Sequence, residues 1–174
     1  MGSVERKEED KLMSLLSTIS KPADRSVICT ITGDAGTGKT TLGATFPKPI
    51  FIRIEDGLQA VPEANRPDAL PVISKVDQFW EQLTALITEP HPYQTVVIDS
   101  ITQLETLFAE YVIANDPKQP KSLAQANGGY GAGYLAVSAL HGRVRKAAKA
   151  LNEKRNLHVA FIAHSDVSTI ELPD

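Results

Sequence analysis

Short apolar, β-branched runs alternate with helix-period segments along this chain, and that alternation predicts a parallel α/β sheet with helices packed on it. Val27 to Ile31 forms the first run and suits a buried strand. Thr41 to Phe46 can start a helix that Pro47 ends. Pro49 to Ile54 predicts a second strand closing on Glu55, Asp56 and Gly57. A polar Pro/Asn segment over 62–69 leads to a short strand around Leu70 to Ser74. Asp77 is placed to cap a helix from Phe79 to about Thr88, and Pro90 and Pro92 break that helix. Thr95 to Asp99 is a third major strand, and Ile101 to about Asn115 is helical by pattern. From Asp116 to Gly133 the periodicity disappears, as in a structureless, functional or mobile loop. A long helix from Tyr134 to about Asn152 and a last strand from Leu157 to Ala163 complete the core. Ahead of all this, Leu12, Met13, Leu15, Leu16 and Ile19 give residues 3–20 the pattern of an amphipathic helix. It suits packing on the chain's own core, or docking on a neighbouring subunit. The division expected is an N-terminal helix and linker over 1–24 and one core domain over 25–174.

Between the first strand and its helix lies Gly33, Asp34, Ala35, Gly36, Thr37, Gly38, Lys39, Thr40, which fits the G-x-x-x-x-G-K-[ST] phosphate-cradling loop. Glycines let backbone N–H groups turn inward around phosphate oxygens, and the helix start adds partial positive charge. Lys39 is the contact expected for the β- and γ-phosphates, the Thr40 hydroxyl for Mg²⁺, and Thr41 completes the cradle. Strand, glycine loop and helix in this order make ATP with Mg²⁺ the expected cofactors.

Val96, Val97 and Ile98 deliver Asp99 at a strand's carboxyl end, where a carboxylate holds Mg²⁺ opposite Thr40. Ser100 comes next, at a position where many hydrolytic P-loop proteins carry a glutamate that polarises the attacking water. The base therefore has to come from elsewhere, and Glu55, closing the second strand on the same rim, is the candidate, with Asp56 behind it. A solvated turn carboxylate is the plain alternative for Glu55. His164 ends the last strand on that rim too, either as a structural histidine or as a sensor of the γ-phosphate.

Composition changes this picture little. A chain of 174 residues with 42% hydrophobic and 22% charged residues is ordinary globular material for one core. Its net charge of −3 argues against general attraction to nucleic acid but leaves room for a local basic face. Positions 141–155 carry such a face, with Arg143, Arg145, Lys146 and Lys149 among six Lys/Arg against one Glu. Together with Lys118, Lys121 and Tyr130 in the glycine-rich loop they are candidate contacts to single-stranded DNA. A solvated helix and a plain flexible lid fit the same residues. Cys29, the one cysteine, excludes an internal disulfide and reads as a buried small hydrophobe. No signal peptide or membrane-length apolar run is seen, so a cytoplasmic protein with no membrane partner is expected.

The ordered set of Gly33–Thr40, Ile54-Glu55, Ile98-Asp99-Ser100 and Phe161 to His164 resembles the RecA-type ATPase core. It is more closely similar to phage-encoded RecA-like P-loop ATPases that act in single-strand annealing and recombination, often labelled AAA-type nucleotide-binding proteins. The resemblance implies Glu55 as catalytic base, His164 as a sensor and 116–133 as a first DNA-binding loop. It also implies self-association into a ring or filament. A RecA core continues past the sensor strand, so a core cut short at its C-terminal end is expected. Two other readings stand beside a DNA-stimulated ATPase: a nucleotide-switched binding module with little turnover, and a small-molecule kinase. The kinase is disfavoured because the 116–133 loop contains no Arg to close over phosphates.

Overall fold

The computed structural model describes residues 18–21 and 23–165. It contains five strands: β1 (Ile28–Gly33), β2 (Pro49–Arg53), β3 (Asp68–Ala69), β4 (Thr95–Asp99) and β5 (His158–His164). Four helices accompany them: α1 (Lys39–Ala44), α2 (Val76–Thr88), α3 (Ile101–Ala114) and α4 (Ala132–Arg155). Every pairing is parallel, in the order β1-β5-β4-β2-β3. This is the expected α/β class, a five-stranded parallel sheet flanked by helices.

Alternation along the strands builds two apolar layers. Ile50, Ile52, Val96, Ile98 and Val159 face α2, α3 and α4, where they meet Phe79, Leu83, Leu104, Phe108, Val144 and Leu151. Phe51, Val97, Ala160 and Ile162 face the other way, onto Leu58, Val61 and the apolar flank of α1. β4 is buried along its whole length, as a strand with neighbours on both sides and both faces covered must be. The carboxyl ends of β1, β2, β4 and β5 consequently share one rim, which is where ligands bind in such sheets.

Several expectations need correcting. β1 is not a buried strand: among the described residues it lies at the sheet edge with β5 its one partner, Val27 and Ile28 are 49% and 44% exposed, and Cys29 is half-buried. The third strand is Asp68–Ala69, earlier than Leu70 to Ser74, although Leu70 and Ile73 still donate N–H bonds to Phe51 and Arg53 of β2. Helix α2 starts at Val76, so Asp77 sits inside its first turn. The side chain of Gln78 supplies the cap instead, accepting from the backbone N–H of Ser74 and Lys75.

The segment 116–133 is folded rather than structureless. A 3₁₀ turn over Leu123–Gly128 packs on α4, and α4 itself begins at Ala132 and runs to Arg155, longer than the pattern suggested. The amphipathic segment expected over 3–20 lies outside the described residues, apart from 18–20, which are not helical. The tail after Ser165 also lies outside them.

Candidate nucleotide-binding site

β1 ends at Gly33, and the chain turns through Asp34–Gly38 before α1 takes up Lys39, Thr40 and Thr41. Gly36 and Gly38 have φ of 77° and 85°, a left-handed backbone that glycine adopts without a steric penalty. A side chain added at either would meet open space, so backbone dihedrals rather than crowding call for glycine in this turn. Lys39 is 7% exposed, and its ammonium donates to the Gly33 and Asp34 carbonyls at 2.8 and 2.7 Å. Thr37 Oγ1 donates to the Asp34 carbonyl at 2.8 Å and braces the turn from within.

Across this loop, Thr40 Oγ1 donates to Asp99 Oδ2 at 2.8 Å. The α1 start and the β4 end therefore bring together the two oxygens expected to hold magnesium. Gly57 closes that corner: a Cβ there would lie 3.2 Å from Thr40 Oγ1 and 3.4 Å from Asp99 Oδ2. A hydroxyl and a single carboxylate under a side-chain-free roof fit Mg²⁺, which keeps most of its waters and takes few protein ligands. Among the described residues no group of three His, Cys, Asp or Glu could hold a metal, which points away from an all-protein metal cage. Burial holds the Asp99 carboxyl above its ordinary range, with the Glu55 charge adding to the rise against the Thr40 hydrogen bond and the His164 and Lys39 charges.

Glu55 follows β2 onto the same corner, and its backbone N–H donates to the Asp99 carbonyl at 3.3 Å. Its Oε1 lies 2.8 Å from His164 Nε2. Burial pushes the Glu55 carboxyl up, but hydrogen bonds from His164 and Ser100, with the charges of His164 and Lys39, outweigh it and leave the group below its usual value. β5 thus places its last residue against the candidate base. Its backbone is fixed there as well, since the His164 N–H donates to Thr102 Oγ1 at 2.9 Å.

Four rim residues escape sequence reasoning. Gly57 is visible in the sequence only as the end of a turn. Ser100 is more than a missing glutamate, since it caps α3, accepting from the Gln103 N–H, and helps to hold the Glu55 carboxyl below its usual value. Thr102 anchors His164. Ser165 crosses the end of β1, its N–H reaching the Gly33 carbonyl at 3.1 Å and its hydroxyl Asp34 Oδ1 at 2.6 Å. Only the motif spacing around Gly57 offers a signal; the other three act through contacts between distant segments.

Strand order adds a further point. β5, carrying His164, lies between the P-loop strand β1 and the acid-bearing strand β4. That order places His164 on the rim between the P-loop and Asp99. A family model described as AAA domain matches residues 25–174. The chain belongs to the AAA domain family. It is an AAA-type member of the P-loop ATPases, a class defined by nucleotide binding at this loop and usually served by Mg²⁺. No curated protein matches the sequence. No helix among the described residues is long and apolar enough to cross a membrane.

The remaining candidates of this AAA domain do not gather at the rim. Helix α3 leaves Asp99 and Ser100 and runs 14 residues, roughly 20 Å, before the 116–133 segment begins. Lys118, Lys121 and Tyr130 are exposed on that segment. On α4 the basic residues diverge. Arg143 lies over the Trp80 ring at 4.3 Å, Lys149 pairs with Glu153 at 3.6 Å, and Arg145 lines a groove with Glu105. Lys146 is exposed. That groove, about 600 Å³ between α3 and α4 over Thr30 and Phe161, is apolar and separate from the P-loop.

Proposed function

We propose that the protein is a Mg²⁺-dependent ATPase of RecA-like type that acts on single-stranded DNA, in the manner of phage recombination and annealing proteins. The observation that carries this is the position of Glu55, delivered by β2 to the Thr40–Asp99 corner while Ser100 occupies the place after Asp99. When bound, magnesium would neutralise negative charge on the phosphates. Lys39 is held on two loop carbonyls that phosphate oxygens would replace as its acceptors. Thr40 and Asp99 would hold the ion, and Glu55 would take the proton of the attacking water. His164, bonded to Glu55, would report the occupancy of the rim to Ser165 and the chain beyond it.

The nucleic-acid part rests on charge. Between Pro117 and Asn152 the sequence holds six Lys/Arg and no Asp or Glu, in a chain with 18 basic and 21 acidic residues overall. An acid-free stretch with an exposed tyrosine in a glycine-rich loop suits a phosphate backbone with unstacked bases. Cytoplasmic location and assembly into a ring or filament belong to the same reading. ATP turnover measured with and without single-stranded DNA tests it. Turnover that rises with DNA and disappears in Lys39→Ala supports it; no turnover in either condition abandons it.

One observation favours a second reading, a nucleotide-switched binding module. Glu55 Oε1 is held by His164 in this state, so the two residues form a pair that a bound nucleotide could rearrange. Glu55→Gln separates the two. Annealing lost with nucleotide binding intact supports the enzyme, whereas retained annealing supports the switch.

A further inference from the structure

Five consecutive residues, Asn127, Gly128, Gly129, Tyr130 and Gly131, have positive φ, at 55°, 94°, 78°, 51° and 85°. Tyr130 is the outlier among them, because a bulky L side chain is strained in the left-handed region. No burial compensates: its ring is fully exposed, at 106% of the reference area. Everything around the ring is nevertheless pinned. Asp116 is 5% exposed, and its carboxylate accepts from the backbone N–H of Lys118 at 2.8 Å and from that of Asn127, tying both sides of the loop to one side chain. Ala126 is fully buried beneath the turn. Gly133 lets the turn lie directly on α4, where a methyl would collide with the Leu123 carbonyl oxygen. A segment fastened at three points and bare at its tip differs from a lid that orders on contact.

We propose that the loop from Asp116 to Gly131 is a preformed stacking platform, on which Asp116 is the positioning residue and Tyr130 the ring that receives an unstacked base of single-stranded nucleic acid. This rests on the nucleic-acid reading above and adds that the site exists before the ligand arrives. Preorganisation lowers the ordering entropy that binding would otherwise cost, so one ring suffices where a disordered loop needs more contacts. Lys118 and Lys121 flank the platform, and no acid other than the pinned Asp116 lies on the segment, so the segment's own charged side chains favour a phosphate backbone.

The probe is a fluorescent oligothymidine, followed by anisotropy, alongside hydrogen exchange at the Asn127 amide and thermal melting of each variant. Tyr130→Gly weakens binding about 5- to 150-fold, the range for loss of one stacked base. The same change raises the melting temperature, because glycine accepts the positive φ. Opposite signs on binding and stability are what a purely structural tyrosine would not give. Tyr130→Trp keeps the affinity.

Asp116→Asn removes one acceptor oxygen. The Asn127 amide then loses its protection, and affinity drops with the tyrosine still present. In that background Tyr130→Gly costs little more, since the ring is no longer presented. If the unaltered protein binds no oligothymidine, the nucleic-acid reading fails and this inference with it. If it binds and Tyr130→Gly binds equally well, or Asp116→Asn leaves both amide protection and affinity unchanged, the platform is overturned and the nucleic-acid reading stands. Tyr130 contributes no buried contact, so a misfolded variant does not obscure that comparison.

Discussion

Gly57→Ala tests the proposed magnesium corner without touching a ligand. Gly57 lies outside the left-handed region, so alanine meets no backbone strain there. The added methyl stands 3.2 Å from Thr40 Oγ1, tight enough that the hydroxyl must give a little, and 3.4 Å from Asp99 Oδ2, in direct contact. Leu58, next in the chain, is buried against the smaller core layer, so the turn has little room to retreat. Magnesium is intolerant of departures from octahedral geometry and holds several waters. A methyl against both ligand oxygens removes space for at least one of them.

A weakening of roughly 1.4 kcal/mol or more, at least about tenfold in the Mg²⁺ midpoint, is expected. Stability itself changes by less than about 1 kcal/mol, since the entropy lost from the unfolded chain offsets the new contact. The assay is a magnesium titration of a fluorescent ATP analogue bound to the protein, with urea unfolding as the control. Nucleotide binding in excess chelator stays at the wild-type level. An unchanged Mg²⁺ midpoint in a stably folded variant refutes the corner as the metal's seat. An equal loss in chelator refutes it differently, by showing that Gly57 shapes the phosphate cradle.

The same geometry sets three further outcomes. Glu55→Gln lowers stability at neutral pH by a fraction of a kcal/mol, because the His164–Glu55 pair is about one-third exposed on each side and solvent screens it. The folded Glu55 value lies below the unfolded one, about 4.3, so its contribution is complete above that pH and vanishes as pH falls through the folded value; urea melts at several pH values check this. Asp99→Asn has the opposite sign, raising stability in magnesium-free buffer at neutral pH, because burial disfavours the ionised carboxylate; urea melts across pH check this. That gain disappears as pH falls below the unfolded carboxyl value, where the folded Asp99 is already protonated. Phe108→Ala, at a ring with no exposed surface packed between Phe79, Trp80 and His141, costs about 3–5 kcal/mol in a urea or thermal melt.

Legibility in the sequence tracks the range of the forces involved. The P-loop, β2, β4, α3 and β5 are readable because local periodicity and a short motif report directly on backbone conformation. The error on β1 has a different origin. Its run of Val, Ile and Thr suits an edge strand as well as a central one, and only sheet order decides how many neighbours it has. The 116–133 segment misleads for a related reason. Its glycines and prolines look like a chain without structure, yet a single buried carboxylate and one close glycine contact fix it. Those constraints join residues 11 and 10 positions apart, beyond any periodic signal.

At the rim the same contrast separates ligands from their supports. Lys39, Thr40, Asp99, Glu55 and His164 each stand at the end of an element, so topology alone brings them together once the sheet is known to be parallel. Thr102 and Ser165 act through partners 62 to 132 positions away, and beyond its local cap of α3 Ser100 likewise acts on a residue distant in sequence, Glu55. Those supports decide the resting state. Glu55 bonds His164, the His164 N–H is held by Thr102, and the next residue along the chain, Ser165, bonds Asp34, so the candidate base, the candidate sensor and the P-loop are linked through two hydrogen bonds and one peptide bond. A phosphate entering the loop would compete for Lys39 and disturb Asp34 at one end of that chain, with Glu55 near the other. In this arrangement, freeing the base and reading the nucleotide would be one rearrangement of the rim. The enzyme and switch readings then differ in how often that rearrangement ends in hydrolysis.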